Sequence, residues 1–373
     1  MRIIMEDNVW EASLKRIRYL FDEFECVTIG MSGGKDSTVV YNLAKMVAKE
    51  QDRLPLNVLW IDQEAEWTFT KDYIKKVMYD KDVKPYWYQI PLHIDNATSL
   101  EQKVLNCWEI GKDDEWLFPK DKIAIKENNY GTEAFKGLFG KIFKKDFKGK
   151  KHCHLTGVRA EESPGRLLGM TSGLTYKDIT WGLKEVSKTN HFTFHPLYDW
   201  SYTDIWKAIN DNNWDYNELY DLQFRHGVGI PNMRVSNLHH ETAVRSLFYL
   251  QEFDNDLYNR MTERLQGVDM AGKMGYDNYY VRKLPYMFSS WEEYRDYLVE
   301  TLVKDDDVWR GKIEKFVDDH NKIYKGYEKG LQEAAKVVVQ SIVTNDYQGT
   351  KMHNHTHKSG LYKQDLKKYH GIE

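Results

Sequence analysis

The sequence predicts an α/β fold: a doubly wound, mostly parallel sheet followed by a helical C-terminal region. Short apolar segments alternate with amphipathic helical segments between residues 25 and 90, which is the pattern of a parallel sheet covered by helices on both faces. After about Pro231, segments with helical spacing of apolar residues are separated by Gly, Pro or Asn. A chain of 373 residues is long enough for one large domain and a smaller second unit.

The elements of the predicted sheet follow one another along the chain. An amphipathic helix over 9–24 precedes a buried strand over 26–31, which continues through a short loop into a helix over 38–49. Further predicted elements are strands over 57–61, 86–90, 152–156 and 191–195 and helices over 68–79 and 202–210. Right-handed crossovers would place the carboxyl ends of the parallel strands at one edge of the sheet, where ligands bind in such folds.

Three regions are predicted along the chain. Residues 1–230 form the α/β domain, with an insertion or helical excursion over about 100–150 where the alternation breaks. Residues 231–345 form the helical region, and the polar, His-rich residues 346–373 are expected to be a loosely held tail.

Composition excludes several classes of protein. The net charge of −4 gives no overall electrostatic reason to bind nucleic acid. The cysteines Cys26, Cys107 and Cys153 are far apart in sequence, which argues against a zinc site, an iron–sulfur cluster or a disulfide framework and fits a reducing cytoplasm. No run approaches the ~18 apolar residues of a membrane span, so no membrane association is expected.

The loop Ser32–Ser37, with the sequence SGGKDS, joins the first strand to the next helix. Gly33 and Gly34 would let backbone N–H groups approach an anion at a helix N-terminus, and Lys35 adds a mobile positive charge. An aspartate beside phosphate, Asp36, is explained if it holds Mg²⁺. The alternative is a Gly-Gly turn capped by serine. The loop is neither a Walker A loop nor a GxGxxG loop.

Charged residues elsewhere extend the predicted site. Arg159 and Arg166 follow a strand and carry guanidinium groups suited to phosphate or sulfate oxygens, whereas Glu161 and Glu162 could hold Mg²⁺ or orient the arginines. The alternative for this loop is a solvated charged segment. Asp62, at the end of the second strand, is placed for ribose or metal contacts, with a simple turn residue as the alternative.

Three segments together resemble a known group of proteins. The loop Ser32–Ser37 resembles the PP-loop of the ATP-pyrophosphatase superfamily, whose members cut ATP between the α and β phosphates. The segment 157–166 (GVRAEESPGR) resembles the GxRxxES…R signature of the phosphoadenosine phosphosulfate (PAPS) reductase family and the small subunit of ATP sulfurylase. The segment 195–206 (HPLYDWSYTDIW) resembles that family's P-L-x-x-W-T-x-x-D-I-W segment.

The resemblance covers roughly residues 25–225 and implies a HUP-like fold that binds ATP, or a related adenine nucleotide, with Mg²⁺. The resemblance and the residue chemistry together predict Lys35, Asp36 and Arg159 as catalytic residues and Asp36 and Glu162 as metal ligands. Further residues are predicted to bind the nucleotide: Ser32, Gly33, Gly34, Ser37, Asp62, Gly157 and Arg166. The segments 219–222 and 227–235 resemble an extension found in a PAPS-reductase-like branch, whose members often accompany a ParB/sulfiredoxin-like partner.

The chain departs from the reductases in two ways. No cysteine follows Cys153, although a PAPS reductase needs a nucleophilic cysteine near its C-terminus, and Lys35 is present where true reductases usually lack the lysine. We therefore expect cleavage of ATP at the α/β phosphates, with sulfate, a nucleic-acid group or a small carboxylate as the acceptor.

Two alternatives to an enzyme stay open. The chain could bind PAPS or APS as a regulatory protein without turnover. It could also be a subunit of a complex acting on nucleic acid, with the run Lys141–Lys151, which holds six lysines, as a contact surface. The histidines offer no metal site, since His152 and His154 are expected on opposite faces of a strand.

Overall fold

The computed structural model describes residues 6–99, 101–171, 176–184, 190–235, 237–239, 246–273, 281–365 and 367. The strands in these residues are β1 Cys26–Gly30, β2 Leu56–Ile61, β3 Val83–Tyr88, β4 Leu92–Asp95, β5 Val104–Cys107, β6 His152–Leu155, β7 Gly182–Lys184 and β8 His191–Phe194. The first α-helices are α1 Val9–Glu23, α2 Lys35–Glu50, α3 Thr68–Met78, α4 Leu138–Asp146, α5 Pro164–Thr171, α6 Tyr202–Asp211 and α7 Leu219–Arg225.

The later part of the chain is helical in the residues that the structure describes. Its α-helices are α8 Leu247–Phe253, α9 Asn255–Arg264, α10 Val268–Lys273, α11 Trp291–Leu298, α12 Asp307–Ile323, α13 Glu328–Val343 and α14 Thr350–Asp365. A π-helical turn, Val299–Val303, extends α11.

The main sheet has six strands in the order β3-β2-β1-β6-β8-β7. Its first five strands are parallel, and β7 pairs antiparallel with β8. Strands β4 and β5 form a separate two-stranded sheet. The prediction of a doubly wound, mostly parallel sheet followed by a helical region is therefore confirmed.

Helices cover both faces of this sheet. Val27 and Ile29 of β1 lie in one apolar cluster with Ile17 of α1 and Val39 of α2. On the opposite face, the ring of Phe143 in α4 lies 4.6 Å from the ring of His152 in β6. The central strands are buried on both faces, yet β6 (HCHL) and β8 (HFTF) alternate polar and apolar residues, because buried His and Thr side chains occupy one face.

One prediction about strand geometry is wrong. His152 and His154 lie on the same face of β6, because side chains two residues apart in a strand point the same way. Both rings reach the hydroxyl of Thr28, with Oγ1 2.9 Å from Nε2 of His152 and 2.8 Å from Nδ1 of His154.

The predicted insertion over 100–150 contains β5, a 3₁₀ turn at Asp113–Glu115 and α4.

The chain divides into two compact units. The first comprises residues 1–94 and 106–237, and the second comprises residues 95–105 and 238–373. The sequence placed the boundary at residue 230 and did not anticipate that 95–105 belongs to the second unit. None of the described helices has the length and apolar composition that a membrane crossing needs.

The second unit has its own apolar core, built from α11 to α14 and including Trp309, Phe316, Val338 and Met352. A loosely held tail was expected from residue 346, but α14 occupies most of that segment and buries Met352 and Ser359. The segment is rich in polar residues, so the spacing of apolar residues gave no sign of this helix.

Candidate active site

The loop between β1 and α2 has a backbone that only glycine adopts readily. Gly33 has φ +72°, in the left-handed region, and a Cβ added there would lie 2.7 Å from Cγ2 of Thr70. Gly34 is the N-cap of α2, so the helix begins at Lys35, three residues before the predicted start at Thr38. The N-terminus of α2 therefore lies immediately after the two glycines, where its dipole favours an anion.

The two serines of the loop bind each other and the backbone. Ser32 Oγ lies 3.2 Å from Ser37 Oγ, and Ser37 Oγ donates to the carbonyl of Gly34 at 2.8 Å. The backbone N–H of Ser32 donates to Ser37 Oγ at 3.3 Å. Ser37 thus closes the loop from inside the first turn of α2, rather than capping the helix from outside.

Residues distant in sequence hold the loop from the other side. The hydroxyl of Tyr220 accepts the backbone N–H of Lys35 at 3.1 Å. The side-chain amide of Asn217 donates to the carbonyl of Gly33 at 3.3 Å and to Thr70 Oγ1 at 2.8 Å. Thr70 in turn donates to the carbonyl of Val235 at 2.6 Å. No local pattern in the segments 219–222 and 227–235 predicts this supporting role.

Asp36 is the centre of the charge network. Its Oδ2 lies 2.8 Å from Nζ of Lys35, and its Oδ1 lies 2.5 Å from Nε of Arg159. The Arg159 side chain is only 5% exposed and also pairs with Glu161 at 2.9 Å. Arg159 was predicted to contact phosphate, but it pairs with these two carboxylates and, like Lys35, is not among the residues lining the cavity described next.

A cavity of about 350 Å³ opens over the loop, a size typical of small-molecule sites. Its charged and hydroxyl-bearing walls include Ser32, Asp36, Ser37, Glu162 and Arg166. Its apolar walls include Leu59, Ile61, Phe135, Phe139 and Val158. The phosphate-loop residues and a patch of aromatic and aliphatic side chains thus share one cavity. The two phenylalanines come from the segment over about 100–150, for which the sequence predicts an insertion or a helical excursion.

Arg166 is the guanidinium group that lines this cavity. It forms an ion pair with Glu162, which also lines the cavity, and its side chain is 47% exposed. Burial lowers the pKa of Arg166, Asp36 opposes that shift, and the nearby positive charges of Arg234 and Arg159 add to it. Three arginines therefore contribute positive potential around the loop, which favours a polyanionic ligand.

Two further glycines allow close packing at the cavity. A Cβ at Gly157 would lie 2.7 Å from the carbonyl carbon of Asp36, so the chain after β6 packs directly against the first turn of α2. A Cβ at Gly30 would lie 2.8 Å from Nε2 of His154. Gly157 was predicted to bind nucleotide, and its position shapes the cavity wall by bringing two backbone segments together.

Asp62 does not reach the cavity. It is fully buried, and its Oδ2 accepts hydrogen bonds from Nζ of Lys71 at 2.7 Å, Nε1 of Trp87 at 3.1 Å and Nε2 of Gln89 at 2.8 Å. Its Oδ1 accepts the backbone N–H of Glu64 at 3.0 Å. The predicted ribose or metal contact therefore gives way to a structural role, in which Asp62 fixes the chain at the end of β2.

The carboxylates suited to a metal ion are Asp36 and Glu162, which line the same cavity. The part of the chain that the structure describes contains no group of three or more His, Cys, Asp or Glu side chains arranged to hold a metal. Mg²⁺ usually takes one or two protein carboxylates and completes its shell with phosphate oxygens and water. The two carboxylates fit such a shared site.

The cysteines lie inside the protein. Cys26, Cys107 and Cys153 are all buried, and burial raises the pKa of the thiols of Cys26 and Cys153. A buried thiol with a raised pKa is a poor nucleophile, because the thiolate is the reactive form.

The lysine run lies on α4 and the residues after it. Ile142, Phe143 and Phe147 are buried, whereas Lys141, Lys144, Lys145, Lys148 and Lys150 are exposed. The segment is therefore amphipathic: its apolar side chains pack on the sheet and its lysines face solvent.

The buried histidines beside the cavity predict acid sensitivity. Burial lowers the pKa of His152 to about 2, of His154 to about 3 and of His195 to about 4, against about 6.5 in an unfolded chain. Below pH 6.5 the unfolded chain therefore binds more protons than the folded one. The free energy of unfolding should fall as the pH drops from 6.5 towards 4, by up to about 1.4 kcal/mol per pH unit for each histidine.

Urea denaturation at pH 7 and pH 5 measures this effect. His152→Leu should reduce the loss of stability between the two pH values, and His353→Asn, at an exposed position, should leave it unchanged. An identical loss in wild type and His152→Leu would contradict the assignment.

The fold and the cavity together define an α/β protein of the nucleotide-binding PP-loop class. Residues 27–230 match the phosphoadenosine phosphosulfate reductase domain, and the chain belongs to this family. Residues 227–369 match a second family, the domain of unknown function DUF3440.

The chain is also similar to individual proteins. The chain is 27% identical to the uncharacterized protein YbdN of Escherichia coli K12, over 86% of this chain and 82% of that protein. It is 26% identical to sulfate adenylyltransferase subunit 2 of Shewanella pealeana, over 57% of this chain and 66% of that protein. Among solved structures, PAPS reductase from Candida auris aligns with a TM-score of 0.37 and 14% identity, over 64% of this chain and 98% of that one.

Proposed function

We propose that the chain binds ATP in the cavity over Ser32–Ser37 and cleaves it between the α and β phosphates to activate an acceptor. An oxygen of the acceptor attacks the α-phosphorus and forms a new P–O bond. The bond from the α-phosphorus to the bridging oxygen breaks, and pyrophosphate leaves with the electron pair. The observation that carries this proposal is a cavity lined by Ser32, Asp36 and Ser37 around the first turn of α2, by Arg166 and by apolar side chains.

The roles of the charged residues follow from their positions. Arg166 lies on the cavity wall and would bind phosphate oxygens. Lys35 is paired with Asp36 in the structure and would move its ammonium group to the leaving pyrophosphate. Asp36 would stay paired after this movement, because it also binds Arg159. Asp36 and Glu162 would hold Mg²⁺, which when bound supplies neutralisation of phosphate charge.

The relatives support a nucleotide-transfer reaction. The Shewanella relative is named as a sulfate adenylyltransferase subunit, and the retained Lys35 and the buried thiols favour transfer over thiol-based reduction. Sulfate, a small carboxylate and a nucleic-acid group are the candidate acceptors. The predicted ParB/sulfiredoxin-like partner, the nucleic-acid contact and the cytoplasmic location stay predictions.

Incubation of the full chain with ATP labelled at the α-phosphate and Mg²⁺ tests the proposal. The acceptors tested are sulfate, a carboxylate, RNA and DNA. With the acceptor that the enzyme uses, we expect pyrophosphate release together with AMP or an adenylylated product. Omission of Mg²⁺ should abolish release, because the phosphate charge is then not neutralised.

A regulatory role is the second candidate, since all three thiols are buried. The regulatory role would be supported by tight binding of PAPS or APS without cleavage of ATP in the presence of any of the four acceptors. The chain would then be a sulfonucleotide-binding regulator and not the proposed enzyme.

A further inference from the structure

Glu66 is a cavity residue with one buried carboxyl oxygen that has no hydrogen-bond partner. Its side chain lines the cavity but the residue is only 3% exposed, and Oε2 has no hydrogen-bond partner in the structure. A buried polar atom without a partner costs about 1–3 kcal/mol. A binding site can keep such an unpaired atom when a bound ligand supplies the missing hydrogen bond.

The backbone around Glu66 is fixed, so the carboxyl group cannot easily turn away. Glu64 has φ +62°, an uncommon conformation for a residue other than glycine. Its carboxylate accepts the backbone N–H of Trp108 at 2.7 Å and of Leu117 at 3.2 Å. The backbone N–H of Glu66 donates to the carbonyl of Glu64 at 2.9 Å. These hydrogen bonds fix the backbone of the turn, which places Glu66 beside the cavity.

The surroundings of the Glu66 carboxyl group favour its protonated form. Burial raises its pKa well above the ordinary value, and the negative charge of Asp62 raises it further, while Lys71 lowers it. Lys71 already forms an ion pair with Asp62 at 2.7 Å, so its positive charge lowers the pKa of Glu66 less than an unpaired lysine would. A protonated carboxyl group offers one O–H donor and one carbonyl acceptor side by side.

We infer that Glu66 selects the base of the nucleotide, by pairing its carboxyl group with the amine-bearing edge of adenine. Adenine presents a ring nitrogen that accepts and an adjacent exocyclic amine that donates, which complements a protonated carboxyl group at both positions. A purine without the exocyclic amine keeps only the ring nitrogen on this edge and loses one of the two hydrogen bonds. Leu59, Ile61, Phe135 and Phe139 give the same cavity the apolar walls that a base ring requires.

The inference deepens the proposed function and rests on it only in taking the ligand to be a nucleotide. Its test measures binding and not turnover. Calorimetric titration of the full chain compares ATP with purine riboside triphosphate, which lacks the exocyclic amine, and with GTP and 2′-deoxy-ATP. We expect wild type to bind ATP about 10- to 100-fold more tightly than purine riboside triphosphate, the range of one hydrogen bond to a buried group.

Two substitutions separate recognition from folding. Glu66→Met keeps the shape of the side chain but removes both hydrogen-bonding atoms, so the preference for ATP over purine riboside triphosphate should disappear. Glu66→Gln keeps one donor and one acceptor, so the preference should persist. Thermal unfolding of Glu66→Met should show an unchanged or higher Tm, because an unpaired buried oxygen is removed.

The outcomes decide between the alternatives. An unchanged base preference in Glu66→Met would overturn the inference. If Glu66→Met loses only the discrimination against 2′-deoxy-ATP, the inference is also overturned, because Glu66 then contacts the ribose. A wild-type chain that binds none of the four nucleotides would also overturn it. Base preference that depends on Glu66, without pyrophosphate release under any condition, would support the inference while refuting the proposed reaction.

Discussion

Changing Lys35 to methionine is expected to lower the rate of pyrophosphate release by about 100- to 1000-fold, the usual effect of removing one group that stabilises transition-state charge. Methionine keeps the length and apolar stem of the side chain but removes the ammonium group. Asp36 keeps its ion pair with Arg159 at 2.5 Å, so the loop should stay folded. The effect should therefore appear in turnover and in ATP affinity, with little change in the free energy of unfolding.

Lys49→Met is the matched control, since Lys49 lies exposed at the other end of α2. It removes the same charge from the same helix and should leave turnover unchanged. Equal rates for wild type and Lys35→Met would remove the main support for a role of the loop in catalysis. A large loss of stability in Lys35→Met would show instead that the lysine acts by holding Asp36.

Changing Arg159 to methionine is expected to destabilise the fold by about 2–4 kcal/mol, because it strands carboxylates that are paired in the interior. Arg159 is 5% exposed and binds both Asp36 and Glu161, and it also donates to the carbonyl of Trp200 at 3.3 Å. The cost stays below that of a fully enclosed pair because Asp36 retains Lys35 and Glu161 is 34% exposed.

Urea denaturation of Arg159→Met and of Arg18→Met provides the comparison. Arg18 pairs with Glu50 at the surface, where the side chains are 39% and 52% exposed, and its loss should cost less than about 1 kcal/mol. If Arg159→Met is as stable as wild type but inactive, Arg159 contacts the nucleotide directly, as the sequence resemblance implies.

The order and type of the elements in the first unit could be predicted because local patterns specify them. Continuous apolar runs identified β1 and β2, and helical spacing identified α1 and α3, each with ends within about three residues of those observed. The helix α14 was missed because its sequence, Thr350–Asp365, is polar. The position of residues 95–105 in the second unit depends on long-range packing, which has no local pattern.

The candidate site was predictable only in part, for the same reason. The motifs located the loop, Arg166 and Glu162, because their residue types are unusual at those spacings. Glu66 carried no such signal, since an unpaired carboxyl group is recognised only from its burial and neighbours. Phe135 and Phe139 reach the cavity through a parallel-sheet crossover whose path the sequence does not show. Asp62 illustrates the converse, because its position in sequence suggested a ligand contact that its hydrogen bonds already satisfy.

The support of the loop by Asn217, Tyr220 and Val235 affects the order of events during synthesis. These contacts join Gly33, Lys35 and Thr70 to residues 165 to 185 positions later in the chain. A nascent chain that ends before Asn217 can form β1 and α2 but lacks the groups that brace the turn between them. Competence to hold a polyphosphate should therefore arise late, when nearly the whole first unit has left the ribosome.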